Sequence, residues 1–273
     1  MNLSVEGVSF AYPNGAQALQ DVSLQIPAGQ QVAWIGANGA GKSTLARLAN
    51  GLLRPLLGRV QVGDWDTREH RVSELAHRVG HVFQNPDEQL FARTLREEVA
   101  FGPRNLGRSP AVVNAAVMEA LAALDLSDLA EVNPYDLPPA RRKDLGLAAI
   151  LAMQPPIVIL DEPTTGQDAE GLERLGRVLR QARTRSQTMI TITHDMEFCS
   201  EYADRLAVFS EGKILIEGPV GEVFRRRDLL DLAQVEPPQL IRLADRLHLP
   251  DLPLGVDSFL ESWQAARGGE GRP

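Results

Sequence analysis

The sequence predicts an α/β protein: a parallel sheet with helices on both faces, an antiparallel β subdomain, a helical subdomain and a short C-terminal helical extension. Three observations carry this. Apolar strands alternate with helical stretches between residues 156 and 203, the pattern of a parallel sheet covered on both sides. The glycine-rich run "GANGAGKST", residues 36–44, joins an apolar strand to a helix. Residues 94–153 read as mostly helical, an all-α insertion between the strand-bearing parts.

Element by element, residues 3–10 and 18–26 alternate apolar with polar and read as strands, with "YPNGAQ" between them as a turn. "QQVAWI" (30–35) is an apolar strand, followed by a helix to about Leu53 and short strands near 59–62 and 80–83. Strand 156–161 precedes a helix over 169–183, and strand 188–193 precedes one over 195–203. "RLAVFSEGKILIEG" reads as a hairpin. The early and late hairpins together suggest the small antiparallel sheet. The main domain spans residues 3–225, with its helical subdomain at about 87–153, and an extension covers 226–273. In the extension, apolar residues 240, 241, 244 and 247 mark one face of a short helix, and "ARGGEGRP" reads as a frayed end.

Composition narrows the function classes. The chain has 273 residues, a formal net charge of −8 and 44% hydrophobic residues. The acidic balance sets a prior against nucleic acid as the main partner, because phosphate binding needs clustered Lys and Arg. Cys199 is the single cysteine, so no intrachain disulfide forms; the reading is a small buried hydrophobe in a reducing cytoplasm. No apolar run reaches the roughly 18 residues a membrane span needs, and "MNLSVEGVSF" lacks the features of a signal peptide.

"GANGAGKST" fits G-x-x-x-x-G-K-[ST] at Gly36, Gly41, Lys42 and Ser43. Glycines let the backbone curl so that successive N–H groups face phosphate oxygens, and the helix that starts here adds its positive end. Lys42 reaches the outer phosphates, and Ser43 offers a hydroxyl to Mg²⁺. In "IVILDEP", Asp161 ends an apolar strand, suited to hold Mg²⁺, and Glu162 is placed to polarise an attacking water. An acid after a strand is also an ordinary helix cap, but the phosphate loop favours the catalytic reading. His194 ends the strand "TMITIT", at the edge where ligands of parallel sheets bind. His70, His77, His81 and His248 carry no such context and read as surface or packing residues.

The order of "GANGAGKST", "VFQNPDEQLF", "ILDEP", "TTGQD" and "TITHD" resembles the ATP-binding cassette (ABC) ATPases, over residues 3 to about 225. The resemblance implies an ABC-type P-loop NTPase core with ATP and Mg²⁺ as cofactors. It implies a head-to-tail pair of subunits, each ATP lying between one phosphate loop and the other subunit's signature helix. It assigns nucleotide binding to Gly36, Ala37, Asn38, Gly39, Ala40, Gly41, Lys42, Ser43, Thr44 and Asp161. Tyr12 takes the adenine-stacking position, with a packing tyrosine as the alternative. Mg²⁺ falls to Ser43, Gln84 and Asp161, with Gln84 also facing the membrane partner. Glu162 matches the catalytic base, His194 the γ-phosphate contact, and Asp168 the loop that crosses to the partner. Gln167 stands where the family usually has leucine.

The family's signature is Leu-Ser-Gly-Gly-Gln at a helix N-terminus. Counting back from Asp161 puts it on Leu137, Pro138, Pro139, Ala140 and Arg141. Pro138 replaces the serine hydroxyl, and Pro139 and Ala140 replace glycines. Proline suits a helix's first turn but brings no N–H. The helix survives while its anion-binding end is blunted. Arg141, Arg142 and Lys143 either supply cationic donors in compensation or form a solvated basic face. Because a signature acts in trans, the resemblance implies an asymmetric heterodimer with a sister ATPase, in which this chain's own site hydrolyses.

"VFQNPDEQLF" and the extension after residue 225 resemble the energy-coupling-factor (ECF) branch. That branch implies a transmembrane coupling protein docking near Gln84–Gln89, beside Asp87 and Glu88. It also implies a membrane substrate-binding subunit, C-terminal helices that hold the dimer, a peripheral place on the cytoplasmic membrane face, and a vitamin or transition-metal ion as cargo. The alternatives are the ATPase of a conventional ABC importer or exporter, or a soluble ABC protein acting on nucleic acid or ribosomes. The last usually carries a long coiled coil or paired cassettes, which this sequence lacks.

Overall fold

The chain opens with a hairpin of β1 (Leu3–Ala11) and β2 (Gln17–Ile26). β3 (Gln31–Gly36) runs into the glycine loop and α1 (Lys42–Ala49). β4 (Leu57–Val62), β5 (Trp65–Asp66), the short α2 (Val72–Leu75) and β6 (Val79–Val82) follow. Then come α3 (Leu95–Asn105), α4 (Pro110–Ala123) and α5 (Pro139–Met153). β7 (Ile157–Asp161), α6 (Ala169–Thr184), β8 (Thr188–Ile192) and α7 (Met196–Tyr202) restore strand–helix alternation. The hairpin β9 (Arg205–Ser210) and β10 (Lys213–Pro219) leads to α8 (Val220–Arg225), α9 (Arg227–Leu232), α10 (Gln239–Arg246) and α11 (Val256–Gly268). This computed structural model describes residues 1–249 and 253–268; residues 269–273, part of the end expected to fray, lie outside the described residues.

Two sheets organise the molecule. One is antiparallel, in the order β2-β1-β4-β5. The other runs β10-β9-β3-β8-β7-β6, parallel except for β10. The sequence suggested that the late hairpin joins the antiparallel sheet; it does not. β9 pairs in parallel with β3, Val32 opposite Arg205 and Gly36 opposite Phe209, and carries β10 onto the edge of the main sheet. The antiparallel sheet takes β4 instead, which pairs with β1 from Leu3↔Val62 onward.

Strand alternation divides the core. On β3, Val32 and Trp34 face the antiparallel sheet and α1, while Ala33 and Ile35 face the C-terminal helices. On β7, Ile157 and Ile159 join the first of these layers, and Val158 and Leu160 pack against α5, α6 and the helical subdomain. Both faces being covered explains why these strands are buried throughout and apolar between Gln31 at the start of β3 and Asp161 at the end of β7. The extension is not loose: Leu230, Ala233, Val235 and Ile241 lie buried in the same cluster as Phe224 and Val208.

Caps set the helix limits. Thr94 accepts from Glu97 N at 3.2 Å to start α3, and Asp168 accepts from Gly171 N at 2.7 Å to start α6. α1 ends at Ala49, short of the expected Leu53, because Asn50 leaves the helix and Gly51 follows at φ 77°. α5 begins with Pro138 as N-cap and Pro139 at its first position, and it ends at Gln154 in the left-handed conformation before Pro155 and Pro156. Inside, Asp144 of α5 meets Arg174 of α6 at 3.0 Å and Arg141 at 2.6 Å. Burial pushes the Asp144 carboxyl up, and the two guanidiniums oppose that. A buried carboxylate so paired fixes how α5 sits on α6.

Candidate functional site

β3, β8 and β7 are neighbours and parallel, so their C-terminal ends lie side by side. The loop after β3 holds Gly36 to Gly41, Asp161 closes β7 with Glu162 just beyond, and His194 follows β8. Asn38 to Lys42, Asp161, Glu162 and His194 line one open cleft of about 620 Å³ together with Tyr12, Ser43, Thr44, Gln84 and Thr165, while Gly36, the last residue of β3, and Ala37 after it do not line it. Residues separated by more than a hundred positions thus meet where a parallel sheet presents its ligand edge.

The loop demands its glycines. Gly36 has φ 138°, and a Cβ there would lie 2.1 Å from the Phe209 carbonyl oxygen. Gly41 has φ 106°, and a Cβ would lie 2.6 Å from the Ala18 oxygen. α1 starts at Lys42 with no side-chain cap and no acid in its first turn, which leaves its first N–H groups to a ligand. Lys42 is buried, and its Nζ donates to the carbonyls of Gly36 at 2.6 Å and Ala37 at 2.9 Å. Burial holds the Lys42 ammonium below its usual range, while Glu162 and Asp161 pull it back up.

Asp161 and Glu162 are both buried, and burial raises the pKa of each. For Asp161 the Ser43 hydroxyl opposes that rise most, followed by Arg47, Lys42 and Lys143. Asp161 Oδ1 is buried and has no hydrogen-bond partner. Glu162 adopts φ 50°, a left-handed conformation in a residue other than glycine. Its N–H donates to Ile192 O at 2.8 Å, and Oε2 accepts from the Thr165 hydroxyl at 3.2 Å. His194 Nε2 stands 3.2 Å from Glu162 Oε1 and 2.9 Å from Asn38 Oδ1, bridging the acid and the glycine loop. Tyr12 packs edge-on against Phe10 and bonds through its hydroxyl to Thr44 Oγ1 at 3.0 Å.

Leu137 to Arg141 and Asp168 are not among the residues lining this cleft. Asp168 is exposed and caps α6. Leu137 is buried, whereas Pro138 and Pro139 are exposed at the start of α5. Of the donors a helix N-terminus ordinarily offers, the two prolines supply none.

The basic run after the prolines is neither a free donor set nor a solvated face. Arg141 donates to Leu124 O at 3.1 Å, Asp125 O at 2.6 Å and Asp144. Arg142 donates to Leu137 O at 3.0 Å and Asp87 at 2.7 Å. Lys143 donates to Glu162 O at 2.9 Å and Thr165 O at 2.8 Å. Sequence reasoning also did not single out Thr165 as the partner of Glu162, although it stands in the quoted "TTGQD". His81, read as a surface or packing residue, is buried against Asn50 and held neutral, its pKa lowered by burial to about 4. Cys199 is buried, as expected.

The ABC transporter family profile matches residues 19–165. The chain belongs to the ABC transporter family. As an ABC ATPase it binds ATP and couples hydrolysis to transport. It is 43% identical over 244 residues to the cobalt import ATP-binding protein CbiO of Rhodobacter capsulatus, covering 89% of this chain and 87% of that protein. It is 37% identical over 261 residues to the energy-coupling factor transporter ATP-binding protein EcfA of Methanothermobacter thermautotrophicus, covering 95% and 84%. Among solved structures it is similar to CbiO1 of Clostridium perfringens, described as part of the transporter complex CbiONQ. The TM-score is 0.75 at 30% identity, over 90% of this chain and 98% of that one. This ABC ATPase has, among the described residues, no helix long and apolar enough to cross a membrane.

Proposed function

We propose that this chain energises an ECF-type importer of a vitamin or transition-metal ion, as one half of an asymmetric heterodimer with a sister ATPase. The observation that carries it is the contrast between two sites on one chain. Lys42, Asp161, Glu162 and His194 share one cleft, while the helix at the signature position starts with two prolines, Pro138 and Pro139, that have no N–H.

In this reading the 36–44 loop and the start of α1 cradle the phosphates. Lys42 leaves the Gly36 and Ala37 carbonyls for the outer phosphates. Tyr12 offers its ring to the adenine. Ser43, Asp161 and Gln84 form the Mg²⁺ site; the unpartnered Asp161 Oδ1 beside the Ser43 hydroxyl fits such an ion. Bound Mg²⁺ would neutralise charge on the outer phosphates. Glu162 accepts the proton of the attacking water, and His194, already between Glu162 and the loop, meets the γ-phosphate.

Asp168 crosses to the sister subunit. The Gln84–Gln89 segment receives the transmembrane coupling protein, and the membrane substrate-binding subunit is engaged only indirectly. Beside that segment stand Phe91 and Phe101, both exposed and packed edge to face at 4.7 Å. Exposed Leu232, Leu243, Leu247 and Leu260 on the extension supply apolar surface for holding the dimer. The relatives' roles, cobalt import and energy-coupling-factor transport, support the cargo class and the membrane setting.

The test is turnover of the purified chain alone and of the chain co-purified with its sister ATPase. Hydrolysis is expected only in the mixed assembly. Robust turnover by this chain as a homodimer would contradict the asymmetry.

A further inference from the structure

We infer that Lys143 is a positioning residue that ties this chain's own hydrolytic turn to the signature end of α5. The inference rests on the reading of Glu162 as the base and of α5 as the helix that faces the partner's nucleotide.

Glu162 is held on every side. Its N–H is fixed to Ile192 O, and its side chain to Thr165 and His194. Its carbonyl is gripped by the Lys143 ammonium, which bonds Thr165 O as well. These two carbonyls bracket the turn that carries the acid. The left-handed φ of 50° at Glu162 is costly for a residue with a Cβ. A conformation of that kind persists only where its surroundings over-determine it. Lys143 is half-buried, and burial disfavours its charge while Glu162 and Asp161 favour it. Both hydrogen bonds of this cation, to the Glu162 and Thr165 carbonyls, are spent on the turn.

A second contact runs the same way. Gln167 Nε2 lies 3.4 Å from Ala140 O and 3.3 Å from Asp144 Oδ1. Residues 162–167 are therefore fastened to the first two turns of α5 by Lys143 and Gln167, and Asp144 is itself locked to Arg174. α5 is one continuous helix from Pro139. Movement of its N-terminal end by nucleotide in the opposite site is carried by Lys143 to the Glu162 carbonyl. That is a contiguous path between the two composite sites, with the geometry of the base as its output.

Lys143→Met and Lys143→Arg are compared in the co-purified complex, with Glu162→Gln alongside. Lys143→Met is expected to lower kcat about ten- to a hundredfold, the cost of misplacing a reacting group by about 1 Å. KM for ATP and binding of a non-hydrolysable ATP analogue should stay unchanged. Lys143→Arg, which keeps a cation able to reach both carbonyls, should recover most of the rate. Amide hydrogen exchange over residues 162–168 should rise in the methionine variant and not in the arginine one. If the methionine variant does not bind the analogue, Lys143→Gln, which retains one donor group, carries the same comparison. Wild-type kcat in the methionine variant, a loss confined to KM, or an equal loss in the arginine variant would overturn the inference. Glu162→Gln separates the two levels: if it silences hydrolysis while Lys143→Met does not, the base assignment stands and only the role of Lys143 falls.

Discussion

Replacing Glu162 with glutamine lowers kcat by about 10²–10⁴-fold while ATP still binds, because a general base contributes that much and the amide cannot accept the proton. The site keeps its shape, since glutamine is nearly isosteric and can still accept from Thr165. The phosphate loop, with Lys42 and the start of α1, is untouched by the change. The check is steady-state turnover of the assembled complex beside equilibrium binding of ATP. Retained turnover would remove Glu162 from the chemistry, and lost binding would mean the substitution disturbed the loop instead.

The second large effect is a gain. With Glu162→Gln silencing this chain's own site, residual hydrolysis reports the opposite site, whose ATP faces residues 137–141. Pro138→Ser, Pro139→Gly, Ala140→Gly and Arg141→Gln together restore the missing N–H groups and the hydroxyl. Each preorganised donor to developing charge is worth about 10²–10³ in rate, so residual turnover should rise by at least about 10²-fold. Arg141 carries a structural cost in this exchange. It braces Leu124 O, Asp125 O and Asp144, so the three-residue change that leaves it in place is the cleaner comparison. No rise in either variant would mean that the prolines do not limit the opposite site.

Much of the site was legible because its chemistry is local. Gly36, Gly41, Lys42 and Ser43 announce a phosphate loop by spacing, and "ILDEP" announces an acid pair at a strand end. What the sequence hid was long-range pairing. β9 and β10 have the pattern of any hairpin, and nothing in residues 205–219 says that β9 will lie beside β3, some 170 positions earlier. β5, with two residues, and α2, with four, are too short to leave a period. Arg141, Arg142 and Lys143 show the same limit for side chains. Charge is visible in sequence, but their partners at Asp125, Asp87 and Thr165 are set by packing. The adjacent prolines, by contrast, could be read directly, because the absence of an N–H is a property of the residue itself.

The most direct test of the central claim uses Lys42→Ala in the assembled transporter, measuring ATP affinity and cargo uptake together. Losing a charge-assisted contact to phosphate predicts ATP affinity lower by about ten- to a hundredfold, with uptake abolished. Unchanged affinity and unchanged uptake would contradict the account, for then the loop around Lys42 would not hold the nucleotide that drives transport.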